Sequence, residues 1–275
     1  MKAASFEYLR PSSCEEAVRA LAEAGGSAKL LAGGQSLGPM LNLRLARPAL
    51  LVDVSRLEAL RGVRVEADRV VIGASTSHAA LEDGAGGLAP DDMLVRVAAG
   101  IAYRAVRNRG TVGGSLAHAD PAADWPLALA ALGATIVIRG PRGARRVEAA
   151  GFMRAAFTTV LEDDEIVESV EVPRLSSAAR WGYFKFCRKT GEFPEASAAV
   201  VFDPERRTAR AFVGALHGAP MSLGALARDA AGLGAAAVST RSLDQAIAAG
   251  APGLDAIERR MHIAAARRAF AQALA

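Results

Sequence analysis

The sequence predicts an α+β fold, and three observations carry the prediction. Strand-like and helix-like segments are mixed without a regular βαβ beat. No Gly-x-Gly-x-x-Gly opens a helix after the first strand, which argues against a Rossmann domain. Beyond about Pro173–Ala179 the pattern changes to three strand-like segments followed by helical ones.

The first helix starts at Pro11-Ser12-Ser13-Cys14-Glu15-Glu16, where Ser13 and Glu16 have capping-box spacing. Ala17, Val18, Leu21 and Ala24 form its apolar stripe, and Gly25-Gly26 stops it. Lys29 to Ala32 reads as a short buried strand, and Leu50 to Val54 as a second. Gly62 to Glu66 and Arg69 to Gly73 alternate around Ala67-Asp68, the pattern of a hairpin. Asp91 to Gly100 and Ala102 to Arg107 read as helix or turn. Asp120 is placed to cap a helix whose first residue is Pro121, with Gly133 ending it after Leu132. Thr135 to Arg139 is a strand, and Glu165 to Val172 alternates until Pro173 ends it.

Three further strands are expected at Tyr183–Arg188, Ala196–Phe202 and Ala209–Leu216, the last two joined by a turn at Asp203-Pro204-Glu205-Arg206-Arg207. Helical segments follow, ending with Leu254 to Leu274. No repeat at a fixed period is present.

At 275 residues with 51% apolar residues, the chain has material for about two domains and a sizeable core. No apolar run approaches the roughly 18 residues of a membrane span. The first eight residues contain no apolar signal core, so a cytoplasmic location is expected. Cys14 and Cys187 lie far apart and form neither a disulfide framework nor a Cys-x-x-Cys motif. The net charge is +4, but the arginines are scattered and not interleaved with aromatics, which argues against nucleic-acid binding.

Two glycine pairs are the most informative motifs: Ala32-Gly33-Gly34-Gln35-Ser36-Leu37 and Thr111-Val112-Gly113-Gly114-Ser115. Glycine lets main chain approach a ligand and reach positive φ, and successive N–H groups in such turns form anion-binding concavities. Two such loops suggest a clamp on a ligand with more than one phosphate, a dinucleotide.

The first motif, with Leu43-Arg44 shortly after it, resembles the first signature of the FAD-binding medium subunits of molybdenum hydroxylases, the family of aerobic carbon monoxide dehydrogenases and xanthine dehydrogenases. The stretch from Thr111 to Asp124 is similar to the second signature over fourteen consecutive positions. Phe152, Thr158 to Leu161 and Glu165 to Val167 resemble the next block. Lys185 to Lys189 and Ala196 to Val200 resemble the start of the C-terminal domain. The blocks stand in family order and cover nearly the whole chain.

The resemblance implies a two-subdomain FAD-binding fold of the vanillyl-alcohol-oxidase type over residues 1–175, with subdomains of about 1–57 and 58–175. A C-terminal domain over 176–275 would carry a three-stranded antiparallel sheet and helices. It also implies the site. Leu31, Ala32, Gly33, Gly34, Gln35, Ser36 and Leu37, with Thr111, Val112, Gly113, Gly114 and Ser115, would wrap the FAD pyrophosphate. The amides of Gly113, Gly114 and Ser115 would donate to it. Ile101 would lie near the flavin or the dinucleotide chain, and Asp124 would accept from the ribose or adenine side. Leu161 and Ile166 would line the adenine end, and Lys185 would reach the cofactor from the C-terminal domain. Two departures stand out: Ser115 where asparagine is common, and Phe193-Pro194 where the family more often has Tyr-Ala.

Taken alone, several of these residues have ordinary readings. Asp120 is a helix cap, Asp124 and Lys185 are solvated side chains, and Trp125 is core or interface. His118 has no second ligand at metal spacing. Arg259-Arg260 and Arg267-Arg268 form a solvated helix face, with docking to an acidic partner as the minority reading. No catalytic triad, paired carboxylate or metal set emerges, which suits a protein whose cofactor carries the chemistry. The expected role is an electron-transfer subunit, partnered by a large molybdenum-cofactor subunit and a small [2Fe–2S] subunit in a hetero-oligomer. A stand-alone flavin oxidase of the same fold and a non-catalytic assembly module are the alternatives.

Overall fold

A computed structural model describes residues 2–275. The first of three main sheets is parallel, with strands in the order Glu7–Leu9, Leu50–Asp53, Ala28–Leu31. The helix Cys14–Ala24 covers it, burying Ala17, Val18 and Leu21 in a core shared with Val52 and Leu57. The Ser13 hydroxyl accepts from the Glu16 amide at 3.1 Å, but the Glu16 carboxylate reaches back to the amide and hydroxyl of Ser12. The box is thus displaced by one residue. Gly25, at φ 54°, closes the helix in the left-handed region. The strand Glu7–Leu9 was not foreseen, because three residues are too few to show alternation.

The second sheet is antiparallel, with strands Val63–Val65, Arg69–Gly73, Ile166–Pro173, Thr135–Gly140 and Gly143–Glu148 in spatial order. The hairpin around Ala67-Asp68 forms as expected. The edge strand Gly143–Glu148 escaped the sequence reading because Arg145 and Arg146 mask it. Both project to carboxylates: Arg145 to Glu165 and Arg146 to Glu171. A bulge between Val167 and Ser169 interrupts the alternation of the central strand. On one side of it Ile166 enters the first core; beyond it Val170 and Val172 enter the second.

The helix Asp124–Leu132 is buried at every position and separates the second sheet from the third. It begins three residues later than Asp120 capping implies. Asp120 instead closes a turn, accepting from the Ala122 amide at 2.9 Å. Pro126 explains the shift. In a helix begun at Pro121 it would lie in the interior and clash with a preceding carbonyl; in one begun at Asp124 it falls in the first turn, where proline is tolerated.

The third sheet is antiparallel, with strands Arg180–Phe186, Ala196–Asp203, Thr208–Gly214 and Met221–Ser222. It has four strands where three were expected; the extra one is a two-residue edge. The strand Ala196–Asp203 is buried at all eight positions. Ala198, Val200 and Phe202 pack with the long helix Ala256–Leu274 on one face, and Ala199 and Val201 join the core around Asp124–Leu132 on the other.

Candidate functional site

The two glycine motifs, nearly eighty residues apart in sequence, meet in the structure. The chain leaves the strand Ala28–Leu31, turns through residues 32–36, and enters the short helix Leu37–Asn42. Gly33 lies flat on the main chain of Arg109 and Gly110. A methyl group there would collide with the Arg109 carbonyl and stand 2.9 Å from the Gly110 Cα. Gly34 turns the chain at φ 72°. A methyl on Gly114 would be 3.9 Å from the Ala32 side chain, so the second motif abuts the first.

The amides of Gly33, Gly34, Gln35, Ser36 and Leu37 donate to no acceptor among the described residues. Backbone N–H groups are strong donors that folded proteins otherwise pair. Successive free amides on a glycine turn are suited to a phosphate group.

The second motif departs from its expected form. It is not an open loop but the helix Val112–His118, capped by Thr111. Its amides are spent within the protein: Val112 donates to the Thr76 carbonyl, Gly113 to that of Ala74, Gly114 to the Thr111 hydroxyl, and Ser115 to the Thr111 carbonyl. The expected ring of outward amides at Gly113-Gly114-Ser115 is therefore absent. Gly113 has a packing reason instead, since a methyl there would stand 2.8 Å from the Ala74 carbonyl oxygen. The segment offers close backbone approach at Gly114 and the hydroxyl of Ser115.

Asp124 and Lys185 come together. The Lys185 ammonium is 3.0 Å from Asp124 Oδ1 and donates to the Gly100 carbonyl at 2.6 Å. Tyr183 donates its hydroxyl to the same Oδ1 at 2.5 Å. Asp124 is 7% exposed. Burial, and then the neighbouring Asp124 carboxylate, push the Tyr183 phenol well above its ordinary pKa. The carboxylate thus anchors the C-terminal strand to the central helix. Its expected bond to ribose has only the capacity left on Oδ2, which already faces Lys185 at 3.3 Å.

Ile101 sits in the turn after the helix Met93–Ala99, half-buried against the second core. Leu161 is half-buried, with its amide donating to the Thr159 hydroxyl. Ile166 does not fit a lining role for its side chain: at 1% exposure it belongs to the first core beside Val52. The alternation that made it a strand residue gives no sign of which face is covered. Phe193 is 67% exposed, so the departure at that position faces outward.

Sequence reading missed three residues. His78 is buried, and its Nδ1 accepts from the Trp125 indole at 3.1 Å. Burial, and then the charge of Arg107, lower the His78 pKa to about 4, so it is neutral at pH 7. Arg107 is 9% exposed and pairs with Glu82. Tyr183 completes the Asp124 cluster. None stands in a motif; their partners are distant in sequence. Among the described residues no cluster of His, Cys, Asp and Glu is arranged to hold a metal ion.

Residues 4–175 match the family model described as the FAD binding domain in molybdopterin dehydrogenase. The chain belongs to this family, and its cofactor is FAD. Relatives in the family support the assignment. The chain is 44% identical to the carbon monoxide dehydrogenase medium chain of Hydrogenophaga pseudoflava over 196 residues, 71% of this chain and 68% of the relative. It is 38% identical to subunit alpha of the 6-hydroxypseudooxynicotine dehydrogenase complex of Paenarthrobacter nicotinovorans, over 79% of this chain and 74% of that one.

The same holds in three dimensions. A chain of the solved carbon monoxide dehydrogenase from Hydrogenophaga pseudoflava superimposes with a TM-score of 0.88 at 35% identity, covering 99% of this chain and 98% of the other. Quinoline 2-oxidoreductase from Pseudomonas putida 86 gives 0.85 at 29%, with 100% and 98% covered. This FAD-binding chain is accordingly an oxidoreductase subunit of the molybdenum hydroxylase class. No helix among the described residues is long and apolar enough to cross a membrane.

Proposed function

We propose that this chain is the flavin relay of a multi-subunit molybdenum hydroxylase. A large subunit would oxidise substrate at a molybdenum cofactor, and a small subunit would carry the electrons through [2Fe–2S] clusters to FAD. A final acceptor such as NAD⁺, a quinone or oxygen would take them from there. Bound FAD supplies the exchange between carriers; the protein binds, orients and shields it.

The observation that carries the binding part is the run of free amides from Gly33 to Leu37, braced by Gly33 on the Arg109–Gly110 backbone. These amides would hold the pyrophosphate, with the Gly114 backbone and the Ser115 hydroxyl closing the other side. Thr111 and Val112 fix that side in place, the former by its cap to Gly114. Leu31 and Ala32 lead into the turn. Ile101 would lie near the flavin or the dinucleotide chain and Leu161 at the adenine end, while Lys185 would serve the cofactor through its hold on the Gly100 carbonyl. Substrate choice would lie in the large subunit.

The experiment is reconstitution. The purified chain should take up FAD and turn yellow, and Gly114→Val should abolish retention, because a Cβ there stands 2.8 Å from the capping Thr111 hydroxyl. Wild-type protein that takes up no FAD contradicts the binding reading. Purification from the native host with stoichiometric molybdenum and iron beside flavin tests the partners.

A further inference from the structure

The segment from Gly100 to Gly110 is the floor on which the first glycine turn rests. Gly33 abuts the carbonyl of Arg109 and the Cα of Gly110. The turn that carries the free amides of residues 33–37 is thus in direct backbone contact with that floor.

The floor is strapped at both ends by one short helix, His78–Glu82. At the start of the helix, the His78 amide donates to the Gly110 carbonyl at 2.9 Å. At its end, the Glu82 carboxylate receives Arg107 through two bonds, Nη2 at 2.7 Å and Nε at 2.8 Å. The third nitrogen of the same guanidinium, Nη1, donates to the carbonyls of Ile101 and Ala102, both at 2.9 Å. Lys185 takes the adjoining carbonyl of Gly100. Three consecutive carbonyls are therefore each held by a cation.

The turn these cations hold includes a conformation that costs free energy. Ala102 lies at φ 43°, in the left-handed region that costs a residue with a Cβ. The loop after the strand Arg180–Phe186 is seated on it: a methyl on Gly191 would stand 2.7 Å from the Ala102 carbonyl oxygen.

Arg107 is nine-tenths buried, and every bond it makes faces this segment or Glu82. A planar guanidinium with a fixed fork of donors satisfies a carboxylate and two carbonyls at once. A lysine supplies the charge without the fork.

We propose that Arg107, oriented by Glu82, is a positioning residue for the FAD cradle. It makes no hydrogen bond to the first glycine turn. It acts by fixing the Gly100–Gly110 floor, and so the geometry of the amides at residues 33–37. The inference rests on the FAD reading above.

The test uses the full chain reconstituted with FAD. Arg107→Gln with Glu82→Gln removes both charges together; Arg104, which also bonds Glu82, is exposed and keeps its two bonds to Asp83, so no lone ion is left buried. Arg107→Lys keeps the charge and loses the fork. Affinity for FAD is read from flavin fluorescence quenching. The setting of the bound flavin is read from its visible circular dichroism at full occupancy, a signal that a loss of global stability alone does not move.

The double variant is expected to bind FAD at least about tenfold more weakly and with an altered visible dichroism. Arg107→Lys is expected to fall between it and wild type. Wild-type affinity and dichroism in the double variant overturn the proposal. If the double variant does not fold, Arg107→Lys decides: an unchanged flavin signal overturns the proposal, and a weakened, altered one supports it. Wild-type protein that binds no FAD is the separate failure of the binding reading.

Discussion

Trp125 donates its indole N–H to Nδ1 of His78 in the interior, joining the central helix to the short helix under the glycine turns. The bond requires a neutral imidazole with its lone pair on Nδ1. His78 is held neutral by burial, with a pKa near 4 against an ordinary value of 6.5. Above pH 6.5 both folded and unfolded states carry neutral His78, and its contribution to stability is fully present. As pH falls from 6.5 toward 4, only the unfolded state gains the proton, and stability declines. At 1.36 kcal/mol per unit, the loss amounts to about 3 kcal/mol. His78→Gln keeps an acceptor for the indole and cannot titrate. Urea unfolding of both proteins between pH 7 and 4 should show the wild-type advantage shrinking by up to that amount. A constant difference across the range contradicts the assignment.

Gly33 and Gly38 make an internal pair of controls. A methyl at Gly33 collides with the Arg109 carbonyl, a rigid backbone atom; one at Gly38 meets nothing within 4 Å. Gly33→Ala should cost roughly 1–3 kcal/mol as the two segments are forced apart. It should also abolish or severely weaken FAD retention. Gly38→Ala should leave both unchanged within error. Thermal unfolding and flavin content of the two variants provide the comparison; equal behaviour would mean the contact between the motifs is not needed.

What was legible in the sequence is what is local. Ser13 and Gly25 mark the ends of their helix through bonds within a few residues. The alternating run up to Pro173 is a strand because period two is a property of the strand itself. The glycine pairs stand out as motifs in the sequence, and the structure brings them together. What was hidden is set by distant partners. The amides of Val112 and Gly113 are consumed by Thr76 and Ala74, which no reading of the motif alone discloses. Arg107 reads as one of many scattered arginines until Glu82 and two carbonyls surround it. Pro126 was in plain view, and its veto on a helix begun at Pro121 was recoverable from its spacing.

Asp203 is a purely structural counterpart to these sites. It is fully buried and accepts from the amide and hydroxyl of Ser176 and the amide of Arg206. Burial raises its pKa, but the hydrogen bonds from Ser176 and Arg206 outweigh that and hold it below the ordinary value. Asp203→Ala would strand these donors at the base of the third sheet. A loss of about 3 kcal/mol is expected by urea unfolding, from unpaired buried groups. FAD affinity should be unchanged at temperatures where the variant is folded, since Asp203 lies outside both glycine segments and their floor.

The Asp124–Lys185 pair has two candidate duties: fastening the C-terminal strand and serving the cofactor. Asp124→Ala leaves a buried ammonium and the Tyr183 hydroxyl without their acceptor, and should cost about 3–5 kcal/mol. Replacing the whole cluster, Asp124→Leu with Lys185→Met and Tyr183→Phe, leaves no charge or hydroxyl stranded. Most of that stability should return, because apolar residues of similar size substitute well for buried ion pairs. The triple variant would still lack the cation that holds the Gly100 carbonyl. FAD affinity should therefore stay reduced, by roughly tenfold, the effect of losing one charge-assisted hydrogen bond at about 1.5 kcal/mol. Chemical unfolding and flavin titration on the same preparations separate the two duties. Recovery of both stability and affinity would assign the pair to fastening alone.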